Sequence, residues 1–315
     1  MRQFAWYLIG ECIVLGMCCL VSAEPFARGP YLGQTPPGST ARVFAPGLIC
    51  NTAQRQWESH GHFSADGNTF CFMRGRSVFI TENTDQGWTR PERIKSITDS
   101  TWSPCLSADA NGLYFIAPYN QLYHFDLFRC NRTANGWDKP QKLGPPLSSS
   151  ACEWGFSLTA DNSFYLGSSR ERKGVWYVQC VNNTWPKATY VTSVNTPNYN
   201  EAHPGIAPDE SFMVFNDAFR PGLGYADLYL TLRLPDGTWS RPRNLGPKVN
   251  SAYIEFGGRI SPDKKYLFFT RSTGWNLVPG RDTADIYWVE LKEYLPDPND
   301  SNLIGRKKVY DGEQQ

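Results

Sequence analysis

Five copies of one short pattern, a polar turn followed by a run of apolar residues, recur through most of this 315-residue chain. Each copy has an Asp that follows an apolar residue and two residues drawn from Ser, Thr, Ala and Pro. The five Asp residues, spaced 43, 52, 48 and 54 positions apart, are Asp66, Asp109, Asp161, Asp209 and Asp263. An Asp carboxylate accepts backbone N–H bonds in a tight turn, and the apolar run suits a central strand. A period of this length indicates a repeat architecture.

Two further strands complete each unit. One carries an apolar pair, as at Asp126-Leu-Phe and Asp285-Ile-Tyr, and the other begins at a turn that contains a Trp. These Trp residues are Trp88, Trp137, Trp185 and Trp239. Four short antiparallel strands in about 45 residues are typical of a propeller blade. We therefore predict an all-β chain with a single five-bladed β-propeller over residues 41–293.

The fifth unit lacks its Trp strand, and the missing piece lies at the other end of the propeller sequence. Residues 43–52 match residues 242–251 and end in the same way, with Asn followed by Thr or Ser. This match predicts that an N-terminal strand completes the last blade and closes the ring, which would remove an exposed strand edge. Six blades are the alternative, if residues 24–50 form more than one strand.

The units resemble the WD40-like propeller repeat of the TolB type, whose hallmark is a Ser-Pro-Asp-Gly turn before an apolar strand. Residues 220–229 and 239–246 are especially similar to repeats of bacterial outer-membrane-linked proteins, whereas the Asp-Gly pair is kept only at Asp66-Gly67. The resemblance covers residues 31–291. It implies a propeller in a bacterial envelope but no particular reaction, because one propeller scaffold hosts many functions.

The N-terminal residues 1–23 have the features of a signal peptide. Arg2 precedes an apolar stretch, and small residues end at Ala23, where cleavage is expected. Lipidation at Cys18 or Cys19 is an alternative that the bulky Met17 disfavours. We therefore expect a periplasmic or secreted protein with no transmembrane span after cleavage.

The remaining boundaries and the composition narrow the choice of function. Residues 24–40 are predicted to be an extended lead-in and residues 294–315 a polar, mobile tail. The net charge of +1 and the absence of charged blocks argue against nucleic acid as a partner. No Gly-x-Ser-x-Gly, phosphate-loop or His-Glu-x-x-His motif supports a serine hydrolase, a nucleotide site or a zincin. Disulfides can form, without a predicted pairing, among Cys50, Cys71, Cys105, Cys130, Cys152 and Cys180.

One repeat position carries a candidate site. Eight residues before the turn Asp, four of the five units have a Glu, namely Glu58, Glu153, Glu201 and Glu255. His60 and His203 lie six residues before their turn Asp, and His62 lies four before. Residues two apart in a strand share a face, so Glu58, His60 and His62 are predicted to point one way. If this is the innermost strand, as the resemblance implies, they face the central channel.

Three interpretations of this site remain open. In the first, each Glu accepts N–H bonds from its own loop, and the propeller is a monomeric, non-enzymatic scaffold that binds an envelope protein or a glycan. In the second, two of the Glu residues serve as acid and base of a glycan hydrolase. In the third, His60, His62 and His203 hold a divalent cation together with Glu58 and Glu201.

Overall fold

The computed structural model describes residues 26–51, 56–119, 124–195, 201–274 and 282–295. Its strands form five antiparallel sheets, one for each sequence unit. The first blade contains β2 (Glu58–Phe63), β3 (Thr69–Arg74), β4 (Ser77–Thr84), β5 (Gly87–Trp88) and β6 (Glu92–Arg93). The second contains β7 (Trp102–Leu106), β8 (Gly112–Pro118), β9 (Phe125–Thr133), β10 (Gly136–Trp137) and β11 (Gln141–Lys142). The third contains β12 (Glu153–Leu158), β13 (Phe164–Ser168), β14 (Gly174–Val178) and β15 (Ala188–Tyr190).

The fourth and fifth blades follow the same plan. The fourth contains β16 (Ala202–Ile206), β17 (Phe212–Asp217), β18 (Asp227–Leu232) and β19 (Arg243–Asn244). The fifth contains β20 (Ile254–Ile260), β21 (Tyr266–Ser272), β22 (Ala284–Glu290) and, as its outer strand, β1 (Arg42–Val43). The prediction of an all-β, five-bladed propeller is confirmed, and the six-bladed alternative is not realised.

The first strand of the chain closes the ring. In β1, Arg42 lies opposite Trp288 of β22, and the backbone N–H of Phe44 donates to the carbonyl of Ile286 at 2.7 Å. The Phe44 side chain is fully buried, with its ring centroid 5.1 Å from that of Phe268 and 5.3 Å from those of Phe70 and Trp288. The closure is therefore made by one hydrogen-bonded strand and by an aromatic core between the fifth and first blades.

Each innermost strand ends in an Asp turn of the predicted kind. In the first blade, the Asp66 carboxylate accepts hydrogen bonds from the Ser64 hydroxyl at 2.5 Å and from the Asn68 backbone N–H at 3.0 Å. Equivalent bonds recur at Asp109, Asp161 and Asp263, whereas Asp209 accepts both from Ser211, through its N–H and its hydroxyl. We call the side of the ring that carries these turns the turn face. The opposite side, where the innermost strands begin, is the start face.

Every innermost strand also contains a β-bulge near its middle. The bulge places His60, Ser103, His203 and Gly257 at φ values of 53°, 53°, 46° and 64°. These four residues share one repeat position. A bulge adds a residue to one strand and breaks the alternation of side chains, so residues on either side of it need not share a face.

Some sequence predictions fall on other parts of the chain. The signal-peptide prediction concerns residues 1–23, and most of the predicted tail begins after residue 295, so both lie outside the described residues. Within the described ranges, no helix has the length and hydropathy needed to cross a membrane. All six cysteines from Cys50 to Cys180 are free thiols in the structure.

Candidate functional site

The four predicted Glu residues are fully buried, and each forms an ion pair with an Arg. The pairs are Glu58 with Arg74 at 3.0 Å, Glu153 with Arg170 at 2.9 Å, Glu255 with Arg271 at 2.6 Å, and Glu201 with Arg220. Burial raises the pKa of Glu58 and of Glu153, although the paired guanidinium opposes the shift in both. Each carboxylate therefore already has a cationic partner within its own blade.

These ion pairs fasten the segment that enters each blade. In the fifth blade, Arg271 donates to the Val249 carbonyl at 2.7 Å, while the Glu255 carboxylate accepts from the Ser251 N–H at 3.1 Å and from its hydroxyl at 2.5 Å. In the first blade, Arg74 donates to the Ile49 carbonyl at 2.8 Å. The recurrence of these contacts supports a structural role for the repeated Glu.

His60 and His203 meet in the centre of the ring. Their ring centroids are 6.0 Å apart, and the ring of Phe256 lies 5.2 Å from His60 and 5.5 Å from His203. In the third and fifth blades, glycine at the same repeat position leaves room for these two imidazole rings. A Cβ at Gly257 would lie 2.8 Å from His60, and one at Gly155 would lie 2.6 Å from His203. Side chains from the first, fourth and fifth blades thus fill the middle of the channel.

The third histidine has a different environment. The His62 Nδ1 accepts a hydrogen bond from the Leu106 N–H at 3.2 Å, and its Nε2 lies 3.6 Å from the sulfur of Cys105. Glu58, by contrast, bonds to Arg74 at the start face. The bulge explains why Glu58, His60 and His62, which alternation placed on one face, have three separate sets of partners.

Burial keeps the channel histidines neutral. It lowers the pKa of His62 to about 3 and that of His203 to about 4, and it lowers the pKa of His60 well below its usual value. His203 is fixed by a 2.9 Å contact between its Nδ1 and the side-chain oxygen of Asn216. In the described part of the chain, no three His, Cys, Asp or Glu residues are grouped so that they could hold a metal ion.

Sequence reasoning missed a loop on the start face, residues 218–226 between β17 and β18, which we call the aromatic loop. Its side chains Phe219, Leu223 and Tyr225 are 65%, 50% and 75% exposed, and Tyr253, just before β20, is 51% exposed. The Tyr225 N–H donates to the Tyr253 carbonyl at 2.9 Å, which joins the two loops. We call these four side chains the aromatic platform.

Two buried carboxylates at the ends of β17 and β18 hold the aromatic loop in one shape. Asp217 accepts from the N–H groups of Phe219 at 2.7 Å and of Arg220 at 3.1 Å. Asp227 accepts from the N–H groups of Leu223 at 2.7 Å and of Gly224 at 3.0 Å.

The remaining contacts tie the loop to the blade. Arg220 forms ion pairs with Asp217, at 3.2 Å, and with Glu201. Glu201, a predicted site residue, therefore helps to hold the loop in place. The Tyr229 hydroxyl also donates to the Pro221 carbonyl, at 2.8 Å. The exposed side chains therefore project from an ordered backbone.

A second feature that the sequence reasoning missed is Arg259 of β20. It stands four residues before its turn Asp, where the other blades have His62, Cys105, Ser157 and Gly205. Its side chain is 2% exposed and lines a cavity of about 70 Å³ at the turn face. The change of residue type at this repeat position was the feature of the sequence that could have pointed to Arg259.

Comparison with known proteins finds similarity at the level of structure. No family model matches the sequence, and no curated protein is significantly similar to it. TolB from Acinetobacter baumannii is 10% identical over 75% of this chain, with a TM-score of 0.48, and the chain spans 57% of its length. The α-L-arabinofuranosidase of Lactobacillus brevis is 11% identical over 73% of this chain and 90% of its own, with a TM-score of 0.48. The GH43 endo-arabinanase of Bacillus licheniformis is 13% identical over 72% and 92%, also with a TM-score of 0.48.

The strand pairing identifies the chain as a five-bladed β-propeller, and TolB is among the solved structures to which it is similar.

Proposed function

We propose that this protein is an exported, non-enzymatic binding module that holds a protein partner against the aromatic platform of its start face. The observation that carries the proposal is the combination of exposure and order in the aromatic loop. Four of the seven large apolar side chains exposed in the described residues belong to the platform. Apolar side chains grouped on a surface favour an interaction site.

The order of the loop makes such a surface effective. Binding costs free energy when loops and side chains must be fixed, and a preorganised loop avoids much of that cost. Asp217 and Asp227 already accept hydrogen bonds from four backbone N–H groups of the aromatic loop in the free protein. Aromatic residues such as Phe219 and Tyr225 also supply a large contact area with few rotatable bonds.

The composition of the platform favours a protein over a glycan. Phe219 and Leu223 have no polar group that could pair with sugar hydroxyls, and a hydroxyl buried without a partner is costly. Protein interfaces, in contrast, are enriched in Tyr, Phe and other aromatic residues at their centre. An apolar patch on a partner protein therefore complements this surface better than an oligosaccharide.

The buried Glu residues support binding rather than hydrolysis. A glycan hydrolase needs two carboxyl groups that flank the bound sugar in an open pocket. Glu58, Glu153, Glu201 and Glu255 are buried in ion pairs with Arg, and none of them lines the turn-face cavity. Export itself is part of the proposal and depends on the signal-peptide features of residues 1–23.

The test compares capture of envelope proteins by two double variants. Phe219→Ser/Tyr225→Ser alters the platform, and Val181→Ser/Leu234→Ser alters two side chains on the turn face that are 42% and 37% exposed. We expect one defined protein to be retained by the wild type and by the turn-face variant, and to be lost from the platform variant. Equal retention by both variants would overturn the proposal. Reducing-sugar release from envelope polysaccharides by the wild type, abolished in Glu153→Gln, would instead establish the hydrolase.

A further inference from the structure

In the first and third blades, the residue four positions before the turn Asp accepts a hydrogen bond from the backbone of the following blade. In the first blade, His62 accepts the hydrogen bond from the Leu106 N–H of the second blade at 3.2 Å. In the third blade, the Ser157 hydroxyl accepts from the Ile206 N–H of the fourth blade at 2.9 Å. A guanidinium can only donate. Arg259, at this position in the fifth blade, is therefore unable to accept such a bond as His62 and Ser157 do.

Arg259 is buried without a compensating charge. Its Nη1 donates to the Gly258 carbonyl at 3.0 Å, whereas its Nε and Nη2 have no hydrogen-bond partner among the described residues. No carboxylate of the described chain lies within ion-pair distance of it. Its titratable neighbours are the thiols of Cys71 and Cys105 and the imidazoles of His60, His62 and His203. Burial raises the pKa of the two thiols and lowers the pKa of the three imidazoles, which keeps all five groups uncharged. Burial of an unpaired cation costs free energy of folding unless an anion or a water molecule accepts its hydrogen bonds.

The two unpartnered nitrogens lie on one edge of the guanidinium. Nε and Nη2 donate in parallel from that edge, and this fork matches the two oxygens of a carboxylate or of a phosphate group. In the ion pairs of the start face, such as Arg271 with Glu255, the protein supplies the oxygens itself. Among the described residues, no oxygen accepts a hydrogen bond from the Nε or the Nη2 of Arg259.

Arg259 lines the turn-face cavity, and because its Nε and Nη2 are themselves buried, an anion from solvent has to enter through this cavity to reach them. Its polar lining is Arg259, His62, Ser107, Ser157 and Thr159, and its apolar walls include Leu158 and Ile206. Small residues surround the opening, namely Ala65, Ala108, Ala160, Pro208 and Pro262. A cavity of about 70 Å³ has room for a group of a few heavy atoms, since one water takes up ~30 Å³ in the liquid.

We infer that the turn-face cavity is an oxyanion site, in which the Nε and Nη2 of Arg259 bind a carboxylate or phosphate group that enters from solvent. The site is on the opposite face from the aromatic platform and does not depend on the proposed function. The oxyanion is either a free ion or the carboxylate at the end of a peptide, and the experiment separates these two sources.

The experiment is titration calorimetry on the full chain at constant ionic strength, with chloride as the balancing salt. The probes are inorganic phosphate, acetate, and a tetrapeptide of alanine with either a free or an amidated C-terminus. We expect one saturable site for at least one probe that carries an oxyanion. Preference for the peptide acid over its amide and over both free ions identifies a chain terminus, whereas comparable binding of the free ions identifies a small anion.

Three variants decide whether Arg259 is responsible. Arg259→Met should abolish binding, and Arg259→Lys should weaken it at least about tenfold, because it keeps the charge but loses the fork. Arg241→Met, at an exposed position, should bind like the wild type. The inference is overturned if the wild type binds none of the oxyanions. It is also overturned if Arg259→Met retains wild-type affinity or, should that variant fail to fold, if Arg259→Lys does.

Discussion

The backbone N–H of Tyr225 donates a 2.9 Å hydrogen bond to the carbonyl oxygen of Tyr253, and this bond joins the aromatic loop of the fourth blade to the fifth blade. Directly after it, Ala226 and Ile254 form a parallel bridge. The two tyrosines are held by backbone contacts, so their side chains are left free to face solvent. Loops that are supported by neighbouring blades combine an ordered backbone with variable side chains, which suits recognition.

The first prediction concerns the carboxylate that shapes the aromatic loop. Asp227→Asn removes the charge that accepts the Leu223 and Gly224 N–H bonds, and an amide must turn one donor toward them. We expect a loss of about 1–3 kcal/mol in the free energy of unfolding, measured in urea, and faster exchange of those two amide hydrogens. Asp85→Asn, at an exposed turn, should leave both quantities unchanged. Unaltered exchange in Asp227→Asn would show that the loop is ordered by other contacts.

The second prediction concerns the Glu–Arg pairs. Glu255→Gln leaves the Arg271 guanidinium without its counterion, and removal of one member of a buried pair is strongly destabilising. Since Arg271 is partly exposed, we expect a loss of about 2–4 kcal/mol in the free energy of unfolding. Glu171→Gln, at an exposed position, should change it by less than about 0.5 kcal/mol. Equal effects of the two substitutions would argue against a structural role for the Glu position.

The third prediction concerns closure of the ring. Phe44→Ala should lower the free energy of unfolding by about 3–5 kcal/mol, because it leaves a cavity between the fifth and first blades. The matched change Phe219→Ala, at a side chain that is 65% exposed, should cost less than about 0.5 kcal/mol. If the two variants unfold at the same urea concentration, the N-terminal segment contributes little to closure.

The fourth prediction concerns pH. Burial lowers the pKa of His203 to about 4 in the folded protein, while the unfolded chain has the ordinary value of about 6.5. Between these values the unfolded state binds more protons, so the stabilisation present above pH 6.5 is lost as the pH falls toward 4. His203→Gln lacks this contribution. The wild type should therefore lose about 3 kcal/mol more than the variant between pH 7 and pH 4, measured as the free energy of unfolding. Parallel pH profiles of the two proteins would contradict the shifted pKa.

The fold could be predicted because one sequence pattern recurs in all five blades. The turn at Asp66 and its four counterparts mark the end of every innermost strand, and the match of residues 43–52 to residues 242–251 predicts how the ring closes. Both features depend on residue types that form the same local structure in every blade. The strand pairing of β1 with β22 follows the predicted arrangement.

The surroundings of the site could be predicted only in part. The repeated Glu was found, but its Arg partner lies in a different strand or loop, as Arg220 does for Glu201. The bulge at His60 and His203 was not visible, because residue type alone does not indicate a positive φ at a histidine. The room for the two rings depends in turn on Gly257 and Gly155, which belong to other blades. Exposure of the aromatic loop likewise depends on tertiary contacts and cannot be read from residue types alone.

Site-specific photocrosslinking tests the central claim, that the start face holds a protein partner, most directly. A benzophenone side chain is placed at Tyr225 of the platform or at Leu234 of the turn face, and the protein is irradiated in the cells that produce it. We predict a discrete adduct with one protein from position 225 and none from position 234. No adduct at Tyr225, or the same adducts at both positions, would contradict the account.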